Sequence, residues 1–250
     1  MYIRTNDGSI ETPDGRVIYF SLDRFISEIA KGSACFICGG TSAKKSFNNE
    51  HVLPDWVLKR CELHSRRVTL PNSEGFMYGR YVIPCCTECN ALMSELFEVP
   101  ISAAFEEGYR GLVEFMKSEG GPRLFVWLAM LFLKTHLKDR DFRWDLDARR
   151  GNEKIADIYD WTELHHIHCL VRSFYSGASL SPRVFGSVAL LRATKSDEQF
   201  DYGDLLPGKA VLLRLGDVAV LAILNDSGAV IRSLKEVFDA LTGPLTSGDT

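Results

Sequence analysis

Apolar positions along this chain fall into three regimes. In the first, residues 16–20 (Arg-Val-Ile-Tyr-Phe) read as a short strand. Ser21 then offers an N-cap, and Leu22, Phe25, Ile26 and Ile29 recur at helical spacing before Gly32, which predicts an amphipathic helix over 21–31. In the second regime, 33–99, apolar runs are short and interrupted by Cys, Asn, His and Pro. The pattern there predicts a short helix over 54–63 opened by Pro54, and strands over 66–70 and 76–83 around Pro71-Asn72-Ser73-Glu74-Gly75. A helix from about Cys86 to Glu98 follows, ahead of Pro100. The third regime opens with helical periodicity over 101–138, as two helices broken at Gly120-Gly121-Pro122. The second of these, 123–136, is apolar nearly all round, the mark of a core helix. Residues 153–175 carry another helical pattern, with Leu164, Ile167, Val171 and Phe174 on one face. Segments 184–194, 210–215 and 218–224 are β-rich, Leu215-Gly216-Asp217 suits a hairpin turn, and 233–241 reads as a last helix before a frayed end at 246–250. The expected class is α+β, with a lead over 1–32, a compact segment over 33–99, and a helical region with a small C-terminal antiparallel sheet over 100–250.

Composition narrows the picture. The chain has 250 residues, 46% hydrophobic and 25% charged, which is ordinary globular composition and excludes a wholly disordered, collagen-like or coiled-coil protein. A net charge of -4 argues against coating nucleic acid with the whole surface, and leaves room for one local basic groove. The longest apolar run, 124–133, is ten residues, half of the roughly 20 that a membrane helix needs. No signal peptide opens the chain, so the expectation is a cytoplasmic protein with no membrane partner. In that reducing setting the seven cysteines are metal ligands or buried thiols rather than disulfides, and six of them fall between residues 35 and 89.

That cluster contains Cys35-Phe-Ile-Cys38 and Cys86-Thr-Glu-Cys89. Two Cys-x-x-Cys pairs suit four thiolates around one tetrahedral zinc. Gly39-Gly40 fits the tight turn after the first pair, and the second pair lies at a helix start, whose amides favour thiolates. Cys61 and Cys85 are left over; Cys85 competes with Cys86 as a ligand, but the 86/89 spacing is the better one. Inside the clamped segment stands Asn48-Asn49-Glu50-His51-Val52-Leu53-Pro54, a carboxylate directly before a histidine. Asn90 follows Cys89 in the first turn of the expected helix.

In this order, Cys35/Cys38, Glu50-His51-Val52-Leu53-Pro54 and Cys86/Cys89-Asn90, residues 35–95 resemble the zinc-bearing HNH endonuclease family with its ββα-metal fold. The resemblance covers about a quarter of the chain. It implies a structural zinc on Cys35, Cys38, Cys86 and Cys89, with His51 as the general base that activates water. It also implies a catalytic Mg²⁺ or Mn²⁺ held by Glu50 and Asn90, and DNA as substrate. The sequence departs from the family pattern in two places. The acid is Glu50 where many members have Asp, and Tyr81 stands where the family has the Asn that orients the catalytic histidine. Tyr81, or a backbone carbonyl near it, would take over that task. The alternative is a catalytically weak or inactive zinc module that docks nucleic acid or a protein. By association with the family, the setting is bacterial or phage defence, restriction or mobile elements.

Three further features have bland and functional readings side by side. Residues 44–80 hold Lys44, Lys45, Lys59, Arg60, Arg66, Arg67 and Arg80 against Glu50, Asp55, Glu62 and Glu74, a local basic excess compatible with phosphate contacts or with a solvated face. His165-His166-Ile167-His168-Cys169 is either a half-buried cluster or a second metal site. Residues 100–250 carry no motif and could serve as scaffold, homodimer interface or dock for a protein partner.

Overall fold

The computed structural model of the chain describes residues 2–194, 199–241 and 243–244. It is a mixed α and β structure with small antiparallel sheets. The chain divides into two compact units, Met1–Met93 with Leu133–Ser179, and Ser94–Phe132 with Leu180–Thr250. Residues 133–179 therefore group with the N-terminal part of the chain and not with the rest of 100–250.

The first unit opens with a three-stranded antiparallel sheet of β1 (Ile3–Arg4), β2 (Ile10–Glu11) and β3 (Val17–Tyr19). A helical stretch follows, Leu22–Arg24 and then the wider turn Phe25–Ala30. Ser21 caps it as expected, its hydroxyl accepting the Arg24 N–H, and Phe25, Ile29 and Ala30 are buried. Beyond the first cysteine pair, β4 (Phe47–His51) leads into the helix Asp55–Arg60, and β5 (Arg67–Thr69) and β6 (Gly75–Met77) form a hairpin. The strand expected over 76–83 is interrupted by a 3₁₀ turn, Tyr78–Arg80. Its second half belongs to β7 (Val82–Cys86), which pairs antiparallel with β4 in the register Phe47↔Cys86 to His51↔Val82. Periodicity could not show this break, because Phe76, Met77, Tyr78 and Tyr81 keep the segment apolar across the turn. β7 runs directly into the helix Thr87–Met93, so two strands and a helix pack as one β-β-α unit.

The rest of this unit comes from 133–179. The stretch expected as one helix over 153–175 is four short pieces, Ile155–Ile158, Trp161–Leu164, His165–Val171 and Ser173–Ser176. Asp160 causes the first break: its carboxylate accepts the Thr162 N–H and starts a new turn.

The second unit contains the sheet β8 (Ser187–Arg192), β9 (Phe200–Leu205), β10 (Ala210–Leu215) and β11 (Val218–Ile223), all antiparallel in the order β8-β11-β10-β9. Leu215 pairs Val218 around Gly216, whose φ of +63° is the left-handed conformation that the hairpin turn needs. β9 was not expected, because Asp201, Gly203 and Asp204 dilute its apolar signal; it is an edge strand with alternate residues exposed. Its helices are Val99–Glu106, Gly108–Phe115, the first part of Gly121–Asp139, Ala229–Ser233 and Lys235–Ala240. Pro100 sits in a first helical turn, where its missing N–H is tolerated, so it does not end the helical stretch expected to stop at Glu98. The long helix begins at Gly121, and all of residues 124–133 are buried. No helix among the described residues is long and apolar enough to cross a membrane. The end expected to fray, 246–250, lies outside the described residues.

Candidate metal centre and its surroundings

Cys35, Cys38, Cys86 and Cys89 converge, all four buried, with sulfurs within 4.8 Å of one another, close enough to hold a metal such as zinc. Sulfurs bound at about 2.3 Å to one tetrahedral ion stand about 3.8 Å apart, and Cys38 Sγ and Cys86 Sγ are 3.6 Å apart. The first pair is a tight knuckle. Gly39 N–H donates to the Cys35 carbonyl at 2.8 Å, Cys35 N–H to the Gly40 carbonyl at 2.8 Å, and Gly40 N–H to Cys38 Sγ at 3.3 Å. Gly39 has φ +74°, and a Cβ there would lie 2.5 Å from the Phe20 ring. The second pair straddles the junction of β7 and its helix.

Cys85 is not among the four, but its sulfur is 3.7 Å from that of Cys35. Hydrogen bonding from Cys38, then from Cys85 and Cys89, holds the Cys35 thiol far below its ordinary range. The contact with Cys35, then burial, pushes Cys85 up. Cys85 therefore stays a thiol, and beside a Cys35 thiolate it donates.

The His165–Cys169 segment meets the backbone of this knuckle and of Phe20, which follows β3. His168 Nε2 meets the Phe36 carbonyl at 2.8 Å, and His165 Nε2 meets the Phe20 carbonyl at 2.8 Å. Burial lowers His168 to about 3, so the ring is neutral and the bond to Phe36 is an Nε2–H donation. Arg172, 1% exposed, donates to the carbonyls of Ile37, Ile18 and Val17 at 2.8, 2.8 and 2.6 Å. Burial brings its guanidinium down to about 10, so it keeps its charge at neutral pH. That charge lies behind a centre which, with zinc on four thiolates, would keep a net negative charge.

The residues expected to act do not all meet. Glu50 and His51 are neighbours on β4 and separate there. Glu50 is buried, its carboxylate 2.8 Å from Lys134 Nζ, and that ammonium also donates to the His51 carbonyl at 2.8 Å. Its charge is thus already paired. Asn90 donates from Nδ2 to Asn48 Oδ1 at 3.0 Å, which ties the helix to β4 and leaves its own carbonyl oxygen outside that bond. Tyr81 is 3% exposed and its hydroxyl donates to the Asp139 carboxylate, so the side chain is committed to the core. The Tyr81 carbonyl accepts the Val52 N–H at 2.9 Å, one residue from His51. His51, half-buried at the end of β4, is joined by Asp55 and His64, with ligand atoms all within 4.8 Å of one another. His64 Nε2 is 3.2 Å from Asp55 Oδ1, and the His51 and His64 rings meet edge-on, centroids 6.0 Å apart. Asp55 had a faint sequence signal as the residue after Pro54 at a helix start; His64 and Lys134 had none.

Lys44, Lys59, Arg60, Arg66, Arg67 and Arg80 are exposed, all in the segments that bracket this cluster. Lys45 is half-buried and pairs with Glu88 at 2.6 Å. No protein-family model, no curated protein and no solved structure matches the chain.

Proposed function

We propose that this protein is a metal-dependent endonuclease of the HNH type that hydrolyses DNA phosphodiester bonds, with His51 as general base. The observation that carries the reading is the β-β-α unit itself. His51 ends the first strand, and the second strand, which ends at Cys86, runs into a helix that holds Cys89 and Asn90. A neutral imidazole accepts a proton from water near pH 7. His51 is fixed for this by Lys134 on its carbonyl and by the Tyr81 carbonyl on its neighbour Val52. The exposed arginines would bind the flanking phosphates. Zinc on the four cysteines has no open position and serves structure alone. A Mg²⁺ or Mn²⁺ ion, when bound, would neutralise phosphoryl charge; Asn90 can offer its carbonyl oxygen, and Glu50 only by giving up Lys134. Defence, restriction or mobile-element biology remains the setting that the family resemblance implies.

The commitment of Glu50 to Lys134 favours a second reading, a zinc module that docks nucleic acid or protein without cutting. Nicking of supercoiled plasmid with Mg²⁺, Mn²⁺ or EDTA separates the two. Metal-dependent nicking that falls at least a hundredfold in His51→Ala is expected from the nuclease. Absence of nicking with zinc bound and DNA binding intact would establish the module, and equal nicking by both chains would remove His51 from the chemistry.

A further inference from the structure

His51, Asp55 and His64 bring two imidazoles and one carboxylate to a common point, separate from the four cysteines. We propose that these three residues form a second divalent-cation site, suited to a borderline ion such as Zn²⁺ or Co²⁺, and that filling it blocks the nuclease. Two nitrogens and one oxygen are the donor set that imidazole-seeking ions prefer, while Mg²⁺ prefers oxygen alone. Three protein ligands leave further coordination positions to solvent, and the side chains of Asp55 and His64 are 43% and 46% exposed, so an ion can enter.

The local structure holds these ligands without an ion. Pro54 starts the helix that presents Asp55 one turn beyond the end of β4. Leu63, buried, anchors the turn that presents His64, its N–H donating to the Leu58 carbonyl at 2.8 Å. The two oxygens of Asp55 divide their work. Oδ2 is 2.5 Å from Lys59 Nζ, and Oδ1 faces His64 at 3.2 Å. An ion can take Oδ1 while Lys59 keeps Oδ2, the outer-shell support that ligating carboxylates ordinarily have. His64 must then turn its ring nitrogen from Asp55 to the ion, and both contacts lie on an exposed face where that motion is open.

The inhibitory consequence rests on the reading of His51 as general base. A ring nitrogen bound to a cation has no lone pair for the proton of water. Mg²⁺ would support cutting, and a borderline ion would stop it.

Titration of the metal-stripped full chain with Co²⁺ tests the site. The first equivalent should give the intense thiolate-to-cobalt charge-transfer band of the cysteine centre. A second should add only weak visible bands of a nitrogen and oxygen site. Asp55→Asn and His64→Ala, both at exposed positions, should lose the second equivalent and keep the first, which also certifies that they fold. A single equivalent in the native chain, or a second retained by both variants, overturns the proposal. In the plasmid assay with Mg²⁺, a second equivalent of Zn²⁺ should cut the nicking rate at least tenfold, and His64→Ala should resist it. Zinc that binds at the second site yet leaves nicking unchanged overturns the inhibitory half. If no condition gives nicking, the nuclease reading fails while the cobalt titration still decides the site.

Discussion

Lys134 and Glu50 are 84 positions apart in sequence, and their side chains, 1% and 9% exposed, form an ion pair at 2.8 Å. Such a pair adds little over a well-packed apolar pair, but removing one partner strands a buried charge at a cost of about 3–5 kcal/mol. Lys134→Met should therefore destabilise the chain by about that amount, measured by urea unfolding. Glu50→Leu combined with Lys134→Met should recover most of the loss. Equal destabilisation in the single and double variants would show that Lys134 acts through something other than Glu50. The residue scale is also where the sequence misleads most. The adjacency of Glu50 and His51 suggests a shared site, whereas the two alternate along β4 and Lys134 pairs with the Glu50 carboxylate. Partners from so far along the chain have no signature in local spacing. His64 was equally hidden, since one histidine in a polar segment looks like any solvated residue.

At the scale of elements, the cysteine knuckle was legible and the turns around it were not. Cys-x-x-Cys followed by two glycines defines its own geometry, and Gly39 takes the left-handed conformation such a turn demands. Gly39→Ala should cost about 1–2 kcal/mol in backbone strain alone, with a further cost because its Cβ would meet the Phe20 ring. The expected outcome is weaker zinc retention against a competing chelator, with the metal lost at lower chelator concentration than in the native chain. Unchanged retention would mean that the loop relaxes freely. Periodicity found the helix over 21–31, the core helix and the β10–β11 hairpin, because each keeps one apolar pattern from end to end. It missed β9 and merged the 76–83 segment, where acidic residues or a turn inside an apolar run break the link between pattern and element.

At the scale of the whole molecule, charge is the property that matters for a polyanionic substrate. The chain carries -4 overall, so any attraction to DNA must come from a local face. Engagement of Arg60, Arg66, Arg67 and Arg80 with four phosphates would make log affinity fall with log salt at a slope of about −3.6, roughly a hundredfold loss from about 50 to 200 mM. Binding to a labelled duplex across that range measures the slope, and each Arg→Ala change should reduce it by about one unit. A slope near zero would take these arginines out of the interface. The fold class could be anticipated from the sequence; the grouping of 133–179 with the N-terminal residues could not. It depends on bonds such as those of Arg172 to Val17 and Ile37, which join positions more than 130 residues apart.

Those bonds impose an order on the chain as it is made. All four clustered cysteines are made by residue 89, while the guanidinium that fastens the Cys35–Cys38 loop comes at residue 172. A nascent chain therefore holds its four cysteines before it holds the cation that fastens their loop, and the sulfurs can gather before the loop is locked. Chains that end prematurely between these points would carry the four cysteines on an unanchored loop, a distinct class of unfinished product for the cell to recognise and remove.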